Sequence, residues 1–215
     1  SFINEIANIC ELVGADVHDV AKGMGLDHRI GSKFLHAGPG YGGSCFPKDT
    51  RALLNIGQQH GYHFKIVEAT IKVNDQQRRI MLEKIIKAIG EVRGKTIAVL
   101  GLAFKPSTDD MREAPSIDII KGLQKLGARI QAYDPVAIHE AKKIFTDVLF
   151  AEDTYAAING ADALVFITEW NQFRSLDLDR VKRLMKKPVI IDLRNIYDPT
   201  KMREEGFHYT GVGRL

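Results

Sequence analysis

Beyond Gly94 the chain breaks into short apolar runs separated by helix-length amphipathic stretches, and no other feature limits its possible folds so sharply. The runs are Thr96-Ile97-Ala98-Val99-Leu100, Ile130-Gln131-Ala132-Tyr133, Ala163-Leu164-Val165-Phe166-Ile167 and Val189-Ile190-Ile191-Asp192. Helical patterns over 115–126, 137–144 and 178–185 lie between them. Nearly continuous apolar strands alternating with helices predict a parallel sheet covered on both faces. Ligands of such sheets lie beyond the carboxyl ends of the strands. Those ends are Gly101-Leu102-Ala103-Phe104-Lys105, Asp134-Pro135, Thr168-Glu169-Trp170 and Leu193-Arg194-Asn195.

The first 93 residues follow a different grammar. Apolar spacing predicts helices over 2–13, 16–24 and 47–60, the last with Pro47 at its first position. One long helix follows over 64–91, about 40 Å at ~1.5 Å per residue. Gly31, Gly38, Gly40, Gly42 and Gly43 crowd the stretch before Cys45, too glycine-dense for regular structure and therefore a shaped loop. The expected architecture is an α/β protein: a helical domain over 1–93 that includes the long connecting helix, then a Rossmann-like parallel-sheet domain over 94–215.

Composition removes several function classes. The 215 residues are 45% hydrophobic and 27% charged, as in globular proteins, and Lys plus Arg exceed Asp plus Glu by only 30 to 27. A net charge of +3 is too balanced for bulk nucleic-acid binding. Two cysteines, Cys10 and Cys45, argue against a disulfide scaffold and for a reducing compartment. No apolar run approaches the ~18 residues of a membrane span, so a cytoplasmic protein is expected. His60, His63, His139 and His208 lack ligand spacing, and no metal is expected. The chain opens on Ser1 within a helical pattern, which reads as a piece of a longer protein.

The chemistry concentrates where the glycine-rich loop enters a helix, in Ser44-Cys45-Phe46-Pro47-Lys48-Asp49. A helix N-terminus and a nearby lysine both favour thiolate over thiol at Cys45. Glycines allow close approach to the sulfur, and Asp49 is placed to orient water or handle protons. Cys10, among Ile6, Ile9 and Val13, has no activating neighbour and reads as core. The first strand is followed by Gly101-Leu102-Ala103-Phe104-Lys105-Pro106, without the second and third glycines of the dinucleotide fingerprint. The main nicotinamide-cofactor site is therefore not expected there. Asp109 and Asp110 read as a solvated turn pair, and Trp170 as packing.

The string from Phe34 through Pro39-Gly40-Tyr41-Gly42-Gly43-Ser44-Cys45 to Asp49 resembles the active-site loop of the UDP-glucose and GDP-mannose dehydrogenase family. Gly101 to Pro106, Asp109-Asp110-Met111-Arg112-Glu113, Pro115-Ser116 and Thr168-Glu169-Trp170 resemble the same family in the same order. The resemblance implies an NAD-dependent, two-step oxidation of a nucleotide sugar and a homodimer formed through the helical domain. It further implies that the main NAD domain lies outside this chain, so that the chain alone is inactive.

Residue by residue, the resemblance makes Cys45 the carrier of a thiohemiacetal and a thioester, Asp49 the water-handling carboxylate, and Lys48 a neighbour of thiolate and cofactor. Arg112 would face the cofactor. Phe34, His36, Tyr41, Gly42, Gly43, Phe104, Lys105 and Arg194 would line the UDP-sugar site, and Arg29 would reach the partner subunit's substrate. The Pro39-Gly40-Tyr41 spelling favours UDP-glucose. GDP-mannose, a UDP-N-acetyl sugar and a non-catalytic nucleotide-sugar-binding or dimerisation module are the other readings. A thiol hydrolase would need an activating His, which no sequence signal selects.

Overall fold

The computed structural model describes residues 1–214. Four helices open the chain. In α1 (Phe2–Val13), Ile3, Ala7 and Cys10 face inward at helical spacing, and left-handed Gly14 (φ 74°) closes the helix. Asp16 caps α2 (Val17–Gly25) by accepting the His18 N–H at 2.8 Å. After the glycine-rich loop come α3 (Cys45–Gln59) and the 25-residue α4 (Lys65–Ile89). Phe64 is the N-cap of α4 rather than its first residue, and Gly90 (φ 77°) ends it.

The second half holds β1 (Thr96–Leu100), α5 (Pro115–Lys125), β2 (Arg129–Tyr133), α6 (Ile138–Ile144), β3 (Val148–Phe150) and α7 (Thr154–Ile158). It continues with β4 (Ala163–Phe166), α8 (Leu178–Leu184), β5 (Val189–Asp192), α9 (Pro199–Glu204) and β6 (His208–Thr210). All strand pairings are parallel, in the order β3-β2-β1-β4-β5-β6. The expected sheet is present, with two more strands and two more helices than the apolar runs announced. β3 and β6 are three-residue edge strands, too short to show a period. Helix α9 carries an Asp198 cap with Pro199 at its first position, a start signal that its six residues follow only briefly.

Strand alternation divides the core. From β1, Ile97 and Val99 face a cluster shared with α1, α4 and α5, while Ala98 and Leu100 face another containing Phe166 and Phe173. The first cluster runs from Ile3 through Met81, Ile85 and Ile119 to Val212, so the opening helices and the sheet bury one apolar mass. Leu82 of α4 lies against Gly122 of α5, where a Cβ would come within 2.4 Å of its Cδ2. Successive strands run outward from β1 in one direction and from β4 in the other. A cleft opens where that order reverses, at the carboxyl ends of β1 and β4.

Candidate active site

Two adjoining cavities occupy this end of the sheet. One, of about 440 Å³, is lined by Gly42, Gly43, Ser44, Cys45 and Phe46 on one wall and Phe104, Lys105, Thr108 and Asp110 on the other. The second, of about 430 Å³, shares Gly42, Phe46, Phe104 and Lys105 and continues to Phe34, His36, Tyr41, Glu169 and Arg194. Cys45 thus lines the first cavity and Arg194 the second, with Lys105 on the wall common to both.

Cys45 is the first residue of α3 and is solvent-exposed, with the Ser44 Oγ 3.7 Å from its sulfur. The helix thus starts two residues before Pro47, which takes the third position rather than the first. Pro47 has no N–H to leave unpaired, so the third position suits it as well. Asp49 lies one turn beyond Cys45 on the same face. Lys48 Nζ sits 2.5 Å from Asp49 Oδ1, and both side chains are exposed. Asp49 holds the Lys48 ammonium above the ordinary lysine range, with a smaller contribution from Cys45.

Arg112 forks onto Asp110 at 2.8 and 2.9 Å, while its carbonyl accepts the Gly43 N–H at 2.7 Å. The fork holds the Asp110 carboxyl below the usual carboxylate range and the guanidinium above its own. Asp110 is thus not one of a solvated pair. It is half-buried because it anchors the arginine beside the thiol loop, whereas Asp109 is exposed.

On the sheet side, Lys105 Nζ stands 5.3 Å above the Phe104 ring, and the Arg194 Nε is ion-paired with Glu169. Phe34 and Tyr41 flank Phe46 at 6.5 and 5.8 Å between ring centroids. Trp170 packs under the strand ends and donates its indole N–H to Asp134 at 3.2 Å. Arg29 lies elsewhere, exposed and forked onto Asp27. Among the described residues, no three His, Cys, Asp or Glu side chains gather as a metal site, and no helix is long and apolar enough to cross a membrane.

Sequence reasoning missed the buried amides that shape the loop. Asn4 Oδ1 accepts the Gly38 N–H at 2.8 Å and Gln77 Nε2 donates to the Gly38 carbonyl at 2.9 Å. Asn74 meets both the N–H and the carbonyl of Tyr41, at 2.8 and 3.1 Å. The available signal was a carboxamide on an otherwise apolar helix face, at Asn4 between Ile3 and Ala7. Glu169 was visible at a strand end but had no assigned task.

The described residues do not fit a dinucleotide at the first strand turn. Asp134 Oδ2 already takes the Leu102 and Ala103 N–H groups, at 2.7 and 3.2 Å, and α5 begins only at Pro115. A pyrophosphate would need those donors and a nearby helix start.

Sequence models of the UDP-glucose/GDP-mannose dehydrogenase family match residues 1–76 (central domain) and 98–199 (UDP binding domain). The chain belongs to this family. It is 56% identical, over its whole length, to UDP-glucose 6-dehydrogenase of Rhizobium meliloti (strain 1021), covering 49% of that protein. It is 54% identical to UDP-glucose 6-dehydrogenase TuaD of Bacillus subtilis (strain 168), covering 47%. The solved UDP-glucose dehydrogenase of Pyrobaculum islandicum superposes with a TM-score of 0.88 at 35% identity, over 100% of this chain and 47% of that one. The chain thus spans about half the length of these relatives.

Proposed function

We propose that this chain forms the thiol-bearing and UDP-sugar-binding part of a UDP-glucose 6-dehydrogenase that oxidises the sugar's C6 alcohol to the acid. The observation that carries this reading is the pair of adjoining cavities that Lys105 lines in common, with Cys45 on one and Arg194 on the other. Lys105 and Arg194 are placed to meet the diphosphate, where charge-assisted bonds are strongest. Phe34, Tyr41 and Phe104 offer apolar faces to base and sugar, and His36, Gly42 and Gly43 bound the sugar end.

Two two-electron oxidations separate alcohol from acid, and the electrons are assigned to no described residue. NAD, the proposed acceptor, would be held chiefly by residues other than these, with Lys48 and Arg112 facing it. The chain's own share is covalent. The Cys45 thiolate adds to the C6 aldehyde, a C–S bond forms, and the oxygen takes a proton to give a thiohemiacetal. Once that carbon stands at the thioester level, water adds while Asp49 accepts its proton; sulfur then leaves as thiolate and the uronate is released.

We assign residues 1–93 to the dimer-forming unit and 94–215 to the nucleotide-sugar unit. Exposed Ile9, Leu12 and Val13 on α1 and Leu53 and Ile56 on α3 offer apolar surface for a second copy. Exposed Arg29 would then reach the partner's cleft. Calorimetry on this chain tests the substrate assignment: UDP-glucose should bind at least about tenfold more tightly than GDP-mannose, a difference of about 1.4 kcal/mol. Preference for the guanine sugar would remove it.

A further inference from the structure

The geometry points to Arg78 as a positioning residue for the Cys45 thiol, one guanidinium that locks the glycine-rich loop of the helical half onto the sheet half. Nη2 donates to the Tyr41 carbonyl at 3.0 Å and to the Glu113 carbonyl at 2.9 Å, while Nη1 meets Asp118 Oδ2 at 2.6 Å. Three chain segments converge on it: the loop leading to Cys45, the 110–114 turn after β1, and α5.

The seat it braces is tight. Gly42 lies so close to the Glu113 carbonyl that a Cβ would come within 2.3 Å of the oxygen, and the Gly43 N–H bonds the Arg112 carbonyl. Glu113 holds φ at 52°, a left-handed conformation that costs energy outside glycine and marks an over-determined position. Its side chain meets Arg51 of α3 at 2.9 and 3.2 Å, so the helix that begins with Cys45 is tied to the same turn. That pair is exposed and weak by itself. Arg78 has only 11% of its side chain exposed and leaves its buried Nε without a partner. A buried cation with an unmet donor is a poor device for stability, and its worth lies in holding parts in register.

The consequence rests on the proposed function: the sugar is bound from the sheet side and the thiol is presented from the helical side, so reach depends on this join. A thiol displaced by about 1 Å costs roughly 100-fold in rate. Arg78→Lys keeps a charge but puts one nitrogen in place of two, so the ammonium cannot stand at once at the Nη1 position against Asp118 and at the Nη2 position against the two carbonyls. In a full-length dehydrogenase it should lower kcat by roughly 100-fold with KM for UDP-glucose changed less than about threefold.

A ligand-free measurement keeps the inference separate from that function. Nitroxides on Cys45 and on exposed Leu149→Cys of β3 report the distance between the thiol and the sheet, since buried Cys10 escapes labelling. Double electron–electron resonance should give a narrow distribution in the parent and a broadened or shifted one in Arg78→Lys and in Gly42→Ala, at temperatures where both remain folded by circular dichroism. Unchanged distributions in both variants would overturn the positioning role even if UDP-glucose binds. A parent that fails to bind UDP-glucose would overturn the proposed function and leave the distance result standing.

Discussion

Gly42 and Glu113, 71 residues apart, meet so closely that the glycine's missing side chain is what lets the thiol loop rest on the sheet domain. A methyl group there has a backbone carbonyl in its way rather than a movable side chain tip. Gly42→Ala should therefore destabilise the chain by about 1–3 kcal/mol, the usual cost of overfilling a packed site. Urea denaturation measures it, and an unchanged midpoint would show that the loop is free to move off.

The two cysteines should respond oppositely. Cys45 is exposed and Cys10 is buried on α1. Cys45→Ser should leave the urea midpoint within about 0.5 kcal/mol of the parent, as expected for surface changes. In a full-length enzyme the same substitution should stop uronate formation after the first oxidation. Cys10→Ser should cost about 1–3 kcal/mol by burying a hydroxyl among apolar neighbours. Undiminished uronate formation in the first variant contradicts the thiol's role.

Arg194 reaches the cleft under restraint from Glu169. Arg194→Ala should weaken UDP binding by about 10- to 100-fold, the loss of a charge-assisted contact of ~1.5–3 kcal/mol. The binding constant should also become less steep in salt. Calorimetry in 50 and 300 mM salt checks both, and equal affinities would place the diphosphate elsewhere.

Asp110 supplies a pH signature. Its carboxyl is held below the ordinary value by the Arg112 fork, so folding favours the ionised form. The resulting stability is complete above the unfolded carboxylate pKa, near ~3.9, and disappears as pH falls through the lower folded value. Thermal melts of the parent and Asp110→Asn between pH 6 and 2.5 should converge at the acid end. A difference that stays constant with pH would mean the carboxylate's charge is irrelevant there.

How much of this was readable beforehand follows from which interactions are local. β1, β4 and β5 are buried and apolar along most of their length, β2 alternates with only Ile130 and Ala132 buried, and α4 repeats over seven turns, so pattern alone located them. Edge strands β3 and β6 owe their existence to neighbouring backbones, which a one-dimensional pattern does not display. The site divides similarly. Cys45, Lys105 and Arg194 sit at loop and strand ends that grammar marks, and the structure puts them on two adjoining cavities that have Lys105 in common. Asn4, Asn74, Gln77 and Arg78 act on Gly38 and Tyr41 from more than 30 positions away. Their task appears only when α1 and α4 lie beside the loop.

The most direct measurement is the rate at which iodoacetamide alkylates Cys45 with and without UDP-glucose. The sugar end of a molecule anchored by Lys105 and Arg194 should cover the sulfur, so saturating UDP-glucose should slow alkylation severalfold while GDP-mannose at the same concentration has little effect. UDP-glucose that binds tightly yet leaves the rate unchanged would contradict the account, because thiol and nucleotide sugar would then occupy separate sites.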